Sequence, residues 1–88
     1  MKELKDTIEF MCSDDYRKRF IAEYQQTKIR YEKLKSFANK IEDAKIISEE
    51  PKHDCPLNIL REQQYTMGCY LNILELRAGI EKINLKEV

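Results

Sequence analysis

The 88-residue chain carries 16 Lys plus Arg against 16 Asp plus Glu, with 42% hydrophobic and 36% charged residues. The cancelled charge excludes long-range attraction of the whole chain to nucleic acid or an anionic membrane, and no apolar run approaches the roughly 20 residues of a membrane span. The length allows one domain with a modest core, and with only two glycines and two prolines the composition is that of an ordered helical protein.

The N-terminus reads MKELKDTIEF. Charges interrupt each short apolar group, so it is neither a signal peptide nor a transit sequence, and the expected location is the cytoplasm. A first helix is predicted over residues 2–11, with Leu4, Ile8 and Met11 on one apolar face. Ser13 stands where an N-cap belongs, followed by Asp14 and Asp15, whose charges suit the positive end of a helix dipole. The second helix is therefore placed at 14–43. Along it Phe20, Tyr24, Thr27, Tyr31, Leu34, Ala38 and Ile41 alternate in steps of 4 and 3, the repeat of a coiled-coil seam.

The stretch AKIISEEPKHDCP holds both prolines and reads as the connection, 44–55, with Ile46 and Ile47 folding back on the core. Pro56 then falls in the first turn of a third helix, 56–82. Its seam is Leu57, Leu60, Gln64, Met67, Leu71, Leu74 and Ala78, in steps of 3 and 4. Two matched seams joined by one loop predict an all-α fold, an antiparallel long-helix hairpin with a short N-terminal helix. The register sets Ile41 near Leu57, Leu34 near Gln64, Tyr31 near Met67 and Phe20 near Ala78. Residues 1–88 form a single helical domain.

The third helix offers more apolar surface than one contact uses. Ile59, Tyr70, Ile73, Leu76, Ile80 and Ile83 lie off its seam. The first helix covers part of that surface, and homo-oligomerisation into a helical bundle is the expected remedy for the remainder. Gly68 and Gly79 are three turns apart on nearly the same face, with Asn72 and Glu75 between them. A glycine inside a helix costs about 1 kcal/mol relative to alanine, so this face is where another backbone or a ligand is expected to come close.

Chemistry-bearing residues are sparse. Cys12, Cys55 and Cys69 form no CxxC pair and fit reduced thiols. The segment His53-Asp54-Cys55 has no second cluster at ligand spacing, so no metal is expected. The single histidine has no oxyanion motif or phosphate loop beside it, and neither enzyme activity nor a cofactor is expected. The candidate ligand-binding residues are Tyr16, Arg17, Arg19 and Arg77, a cationic and aromatic end to the hairpin that also receives Lys82, together with Gly68 and Asn72. Tyrosine rings stack on bases and arginine forks bind phosphate oxygens, which points to a nucleotide. The competing reading is a solvated helix end whose arginines pair within the chain. Sequence-specific DNA binding is disfavoured, because the helices are long and neutral and their connection is long.

The blocks LKDTIEFM, DDYRKRFIAEYQQTKIRYEKL and CPLNILREQQYTMGCYLNILELRAGIEKI, in that order and within a span from about Leu4 to Leu85, resemble a family of small helical proteins of tailed phages and prophages related to a crAss-like phage protein. Lys82 departs from the pattern, which has a glycine before the final isoleucine, so the end of the third helix stays open. The resemblance implies a viral or prophage origin and an accessory role against host defence, with no catalytic residues to carry over. A looser similarity, of architecture alone, is to viral sponge proteins that sequester cyclic nucleotide signals of antiviral systems. Two functions follow as expectations. In the first, an oligomer captures a cyclic or other nucleotide immune signal in the host cell cytoplasm. In the second, a protein–protein interaction module inhibits a host defence protein or scaffolds a phage protein.

Overall fold

The computed structural model describes residues 1–47 and 52–86. They form a 3-10 turn (Leu4–Thr7) running into a short helix α1 (Ile8–Met11), a long helix α2 (Tyr16–Ile47) and a second long helix α3 (Leu57–Glu81). Among the described residues there is no strand, and no helix is long and apolar enough to cross a membrane.

The N-terminal turn is held by Asp6, whose carboxylate accepts the backbone N–H groups of Glu3 at 2.9 Å and Lys2 at 3.1 Å. Those two bonds hold the Asp6 carboxyl below its ordinary pKa. The apolar face differs from the expected one. Ile8 and Met11 are exposed, and the inward set is Leu4, Thr7 and Phe10. The reason is the 3-10 geometry, which stacks residues three apart and rotates the face away from the α-helical spacing. Thr7 is fully buried, and its hydroxyl is satisfied by donating to the Leu4 carbonyl at 2.7 Å. These turns pack on α2 and not on α3, contrary to the expected cover for α3.

Helix α2 starts two residues later than expected because Asp15, not Ser13, caps it. The Asp15 carboxylate accepts the Arg17 N–H at 2.9 Å, while the Ser13 hydroxyl is used on the Asp15 N–H at 3.0 Å. The helix also runs four residues further, to Ile47, because no breaker precedes Pro51. Its 32 residues span about 48 Å at 1.5 Å per residue, which matches the 48 Å long axis of the molecule. Ala44 extends the buried stripe by one step, whereas Ile46 and Ile47 stay exposed on the helix and do not fold back. Residues 48–51 of the expected connection lie outside the described residues.

Pro56 takes the N-cap of α3, with extended ψ of 147°, and its carbonyl receives the Ile59 and Leu60 N–H groups. The two long helices then pair antiparallel in order. Glu42 meets Arg61, Tyr31 meets Gly68, Tyr24 meets Glu75, and Tyr16 meets Glu81. The buried cluster, Phe20, Ile21, Tyr24, Leu71, Leu74, Ala78 and Ile83, lies toward the open end of the hairpin, with Phe10, Tyr31 and Leu85 against it. Toward the loop the buried residues are Ala38, Ile41 and Ala44. Fully burying one apolar side chain stabilises the fold by about 1.5–3 kcal/mol, so the aromatic end carries most of the core.

Helix α3 ends at Lys82, which adopts the left-handed conformation at φ 57°. The Ile83 N–H then reaches the Ala78 carbonyl at 2.8 Å, and Ile83 is buried beside Ala78. This is a Schellman stop with its hydrophobic contact, the place where glycine is preferred. Gln25 ties the tail back by donating to the Leu85 carbonyl at 2.8 Å. Replacing Lys82 by glycine removes the side-chain cost of the left-handed conformation, about 1–2 kcal/mol, against part of that lost to backbone entropy. Lys82→Gly is expected to stabilise the protein by about 0.5–1 kcal/mol and to raise Tm by several degrees. A lowered Tm in calorimetry would refute this account of the helix end.

Candidate functional site

Two groups of polar residues lie along the α2–α3 contact, and they differ in how far they are already used. At the open end, Tyr16 donates to Glu81 at 2.8 Å, and Arg77 donates to the Tyr16 oxygen at 2.6 Å and to Glu81 at 3.2 Å. The Arg77 guanidinium also stands 5.0 Å from the Phe20 ring centroid, and Tyr16 meets Phe20 edge-on at 6.1 Å. Arg17 donates to the Glu81 and Lys82 carbonyls, each at 3.0 Å, and so closes the C-terminus of α3. The Tyr16 hydroxyl bond holds the Glu81 carboxyl below its usual pKa, with Arg77 adding to it, and the same bond raises the Tyr16 phenol. Arg19 turns the other way, to the Ser13 carbonyl at 2.9 Å. Of the expected cationic end, Tyr16, Arg17 and Arg77 come together on Glu81 and the helix terminus, and Arg19 stands apart.

The second group lines a cleft of about 480 Å³ in the middle of the hairpin, within the usual range for small-molecule sites. Tyr24, Lys28, Tyr31 and Glu32 come from α2, and Arg61, Gln64, Tyr65, Gly68, Asn72 and Glu75 from α3. The cleft exists because aliphatic packing lapses here. Thr27 and Tyr31 face a seam that offers Gln64, and a Cβ on Gly68 would stand 3.4 Å from the Tyr31 ring.

The floor is fixed by Tyr24, a buried residue whose hydroxyl donates to Glu75 at 2.6 Å. Burial first, and the Glu75 bond second, push the Tyr24 phenol up to about 12. Lys28 lies with its ammonium 5.9 Å from the Tyr24 ring centroid and makes no ion pair among the described residues. Arg61 is anchored by Glu42 and donates to Gln64 at 2.7 Å. The cleft thus combines three phenol rings, two cations and two carboxylates. Rings stack on a planar base, Lys28 and Arg61 attract an anion, and carboxylates accept from sugar hydroxyls.

Of the residues expected from sequence, Gly68 and Asn72 are in this cleft, while Tyr16, Arg17, Arg19 and Arg77 are not among its lining. Tyr24 and Tyr31 belong to the predicted seam of α2, and Lys28 lies beside it among charged residues. A usable signal was present in the seam itself, because Thr27, Tyr31 and Gln64 occupy positions where aliphatic side chains close a hairpin. The loop pair His53 and Cys55 interacts through the His53 ring nitrogen and the Cys55 carbonyl at 2.6 Å. Among the described residues no group of three His, Cys, Asp or Glu is arranged to hold a metal ion.

The Tyr24–Glu75 bond makes a titration prediction. A phenol whose folded pKa is raised from 10 to about 12 contributes stability that is fully present below pH 10 and is lost as pH rises toward 12. Tyr24→Phe is expected to cost about 1 kcal/mol at neutral pH. It should also remove the latest component of the tyrosinate absorbance titration; an unchanged titration curve would mean that the Tyr24 phenol is not the perturbed one.

No curated protein and no solved structure matches this chain. The family model described as Sequestin matches residues 14–80, a span that holds nearly all of α2 and α3 and every residue lining the cleft. The chain belongs to the Sequestin family.

Proposed function

We propose that this protein is a non-enzymatic binder that sequesters a nucleotide signal, cyclic or linear, in the cleft between α2 and α3. The observation that carries the reading is the cleft itself, which is lined by Tyr24, Tyr31 and Tyr65 together with Lys28, whose ammonium lies 5.9 Å from the Tyr24 ring and has no ion-pair partner among the described residues. An exposed cation at the mouth of a cleft, with no carboxylate bound to it, favours an anionic ligand, and the rings favour one with a flat base. The family name, Sequestin, denotes sequestration and agrees with a protein that holds its ligand. The resemblance to small phage and prophage proteins supplies the context: capture of a host immune signal in the host cytoplasm, which counters antiviral defence.

The roles divide along the cleft. Tyr65, 74% exposed, offers the outer face to a base, and Tyr31 beside Gly68 the inner one. Lys28 and Arg61 take the phosphate, Arg61 being preset by Glu42. Glu75 uses one oxygen on Tyr24 and turns the other toward sugar hydroxyls, with Asn72 beside it. With two cations balanced by Glu32 and Glu75, the cleft suits a ligand of low phosphate charge.

The test is thermal unfolding across a panel of linear and cyclic nucleotides. A ligand at about 100 times its Kd adds about 2.7 kcal/mol, a rise in Tm of about 10 °C or more for a domain of this size. Lys28→Ala is expected to lose most of that rise, and Gly68→Leu, which fills the cleft, to lose all of it. Arg19→Ala should keep it. Loss with Arg19→Ala and retention with Lys28→Ala would move the site to the open end of the hairpin, and no shift with any nucleotide would favour a protein partner.

A further inference from the structure

We infer that the groove between the N-terminal turn and α2 is a second anion subsite, which takes the far phosphate of a nucleotide carrying two or more linked phosphates. The inference rests on the nucleotide site proposed for the cleft, which holds the base and the first phosphate. The groove, about 290 Å³, is lined by Lys2 of the turn and by Lys28, Ile29, Glu32 and Lys33 of α2. Lys28 and Glu32 line the cleft as well. Four residues apart on the helix, they form a ridge between the cleft, on the α3 side, and the groove, on the side of the N-terminal turn. A phosphate chain that starts in the cleft can therefore continue past Lys28 into the groove.

The charges of the groove point to an anion. Lys2, Lys28 and Lys33 are exposed and make no ion pair among the described residues. The carboxylates of the turn are spent locally, Glu3 on Lys5 at 3.3 Å and Asp6 on the backbone N–H groups of Lys2 and Glu3. Those Asp6 bonds hold the Lys2 backbone, and the turn itself packs on α2. Glu32 is the one carboxylate in the lining, and a lysine four residues before a glutamate is the weaker order for an ion pair. Three ammoniums against one carboxylate leave a positive groove between two walls, which concentrates its field on an anion. No ring lines it, so it suits phosphate oxygens and not a second base. The cleft alone suits low phosphate charge, and the groove adds the cations that a further phosphate needs. Lys2 lies outside the residues 14–80 matched by the family model, so this wall is a feature of the present chain beyond that match.

Isothermal titration calorimetry with inorganic pyrophosphate at low ionic strength probes the subsite without a base. The native protein and Gly68→Leu, whose cleft is filled, are expected to bind it alike. Lys2→Ala and Lys33→Ala, neither of which touches the cleft lining, are each expected to weaken it about fivefold. No pyrophosphate binding, or binding indifferent to both substitutions, would overturn the subsite even if nucleotides bind in the cleft. Paired nucleoside mono- and diphosphates test the link between the two cavities. The diphosphate is expected to bind about tenfold tighter than the monophosphate, and Lys33→Ala to erase that difference while leaving monophosphate affinity unchanged. Equal affinities in the native protein would overturn the inference and leave the cleft site standing. Pyrophosphate bound with no nucleotide bound would instead refute the cleft site, and the linked ligand with it.

Discussion

The contact of α2 with α3 closes at both ends and opens in the middle, and the candidate site is a consequence of that unevenness. At one end Phe20, Ile21, Tyr24, Leu71, Leu74 and Ala78 interlock; toward the loop Ala38, Ile41 and Ala44 let the helices come together. Between them the seam sets Thr27, Tyr31 and Gln64 beside Leu34 and Met67, and the polar members cannot fill the gap as branched aliphatics would. Two long helices held at both ends cannot collapse on a gap in the middle. The cleft is therefore maintained by the core, to which Tyr24 and Leu71 of its own lining belong.

Hydrogen bonds across the contact set its register as the apolar seam alone does not. Tyr16 reaches Glu81, Tyr24 reaches Glu75, and in the reverse direction Tyr70 of α3 reaches Glu23 of α2. A slip of one residue would misalign all three, and each buried or half-buried phenol would lose a charged acceptor. The arginines at the open end belong to the same framework: Arg17 closes the end of α3, and Arg77 braces Tyr16 and Glu81. A cluster of cations and rings can thus stand for structure, whereas Lys28, in the cleft lining, makes no ion pair among the described residues.

Helical periodicity made the hairpin legible. The seam residues from Phe20 to Ile41 and from Leu57 to Ala78 all face inward, at full or partial burial, and the pairing of Tyr31 with the Met67–Gly68 region follows from their matched steps. Boundaries were less legible because they depend on which of several adjacent polar residues wins the cap, as Asp15 does over Ser13. The N-terminal face was hidden by a 3-10 turn, which shifts the stripe from Ile8 and Met11 to Thr7 and Phe10. The site was half legible. Gly68 and Asn72 are on it, but Lys28 looks in sequence like any lysine of a solvated helix, and only the gap opposite Gln64 distinguishes it.

Sequestration requires that the ligand be held and not changed. Equilibrium dialysis against linear and cyclic nucleotides, followed by heat denaturation of the protein and mass spectrometry of what it releases, measures both properties at once. The account predicts that at least one nucleotide concentrates on the protein side at a fixed ratio to the chain and returns chemically intact. A nucleotide released as a new product, or none concentrated at all, would contradict it.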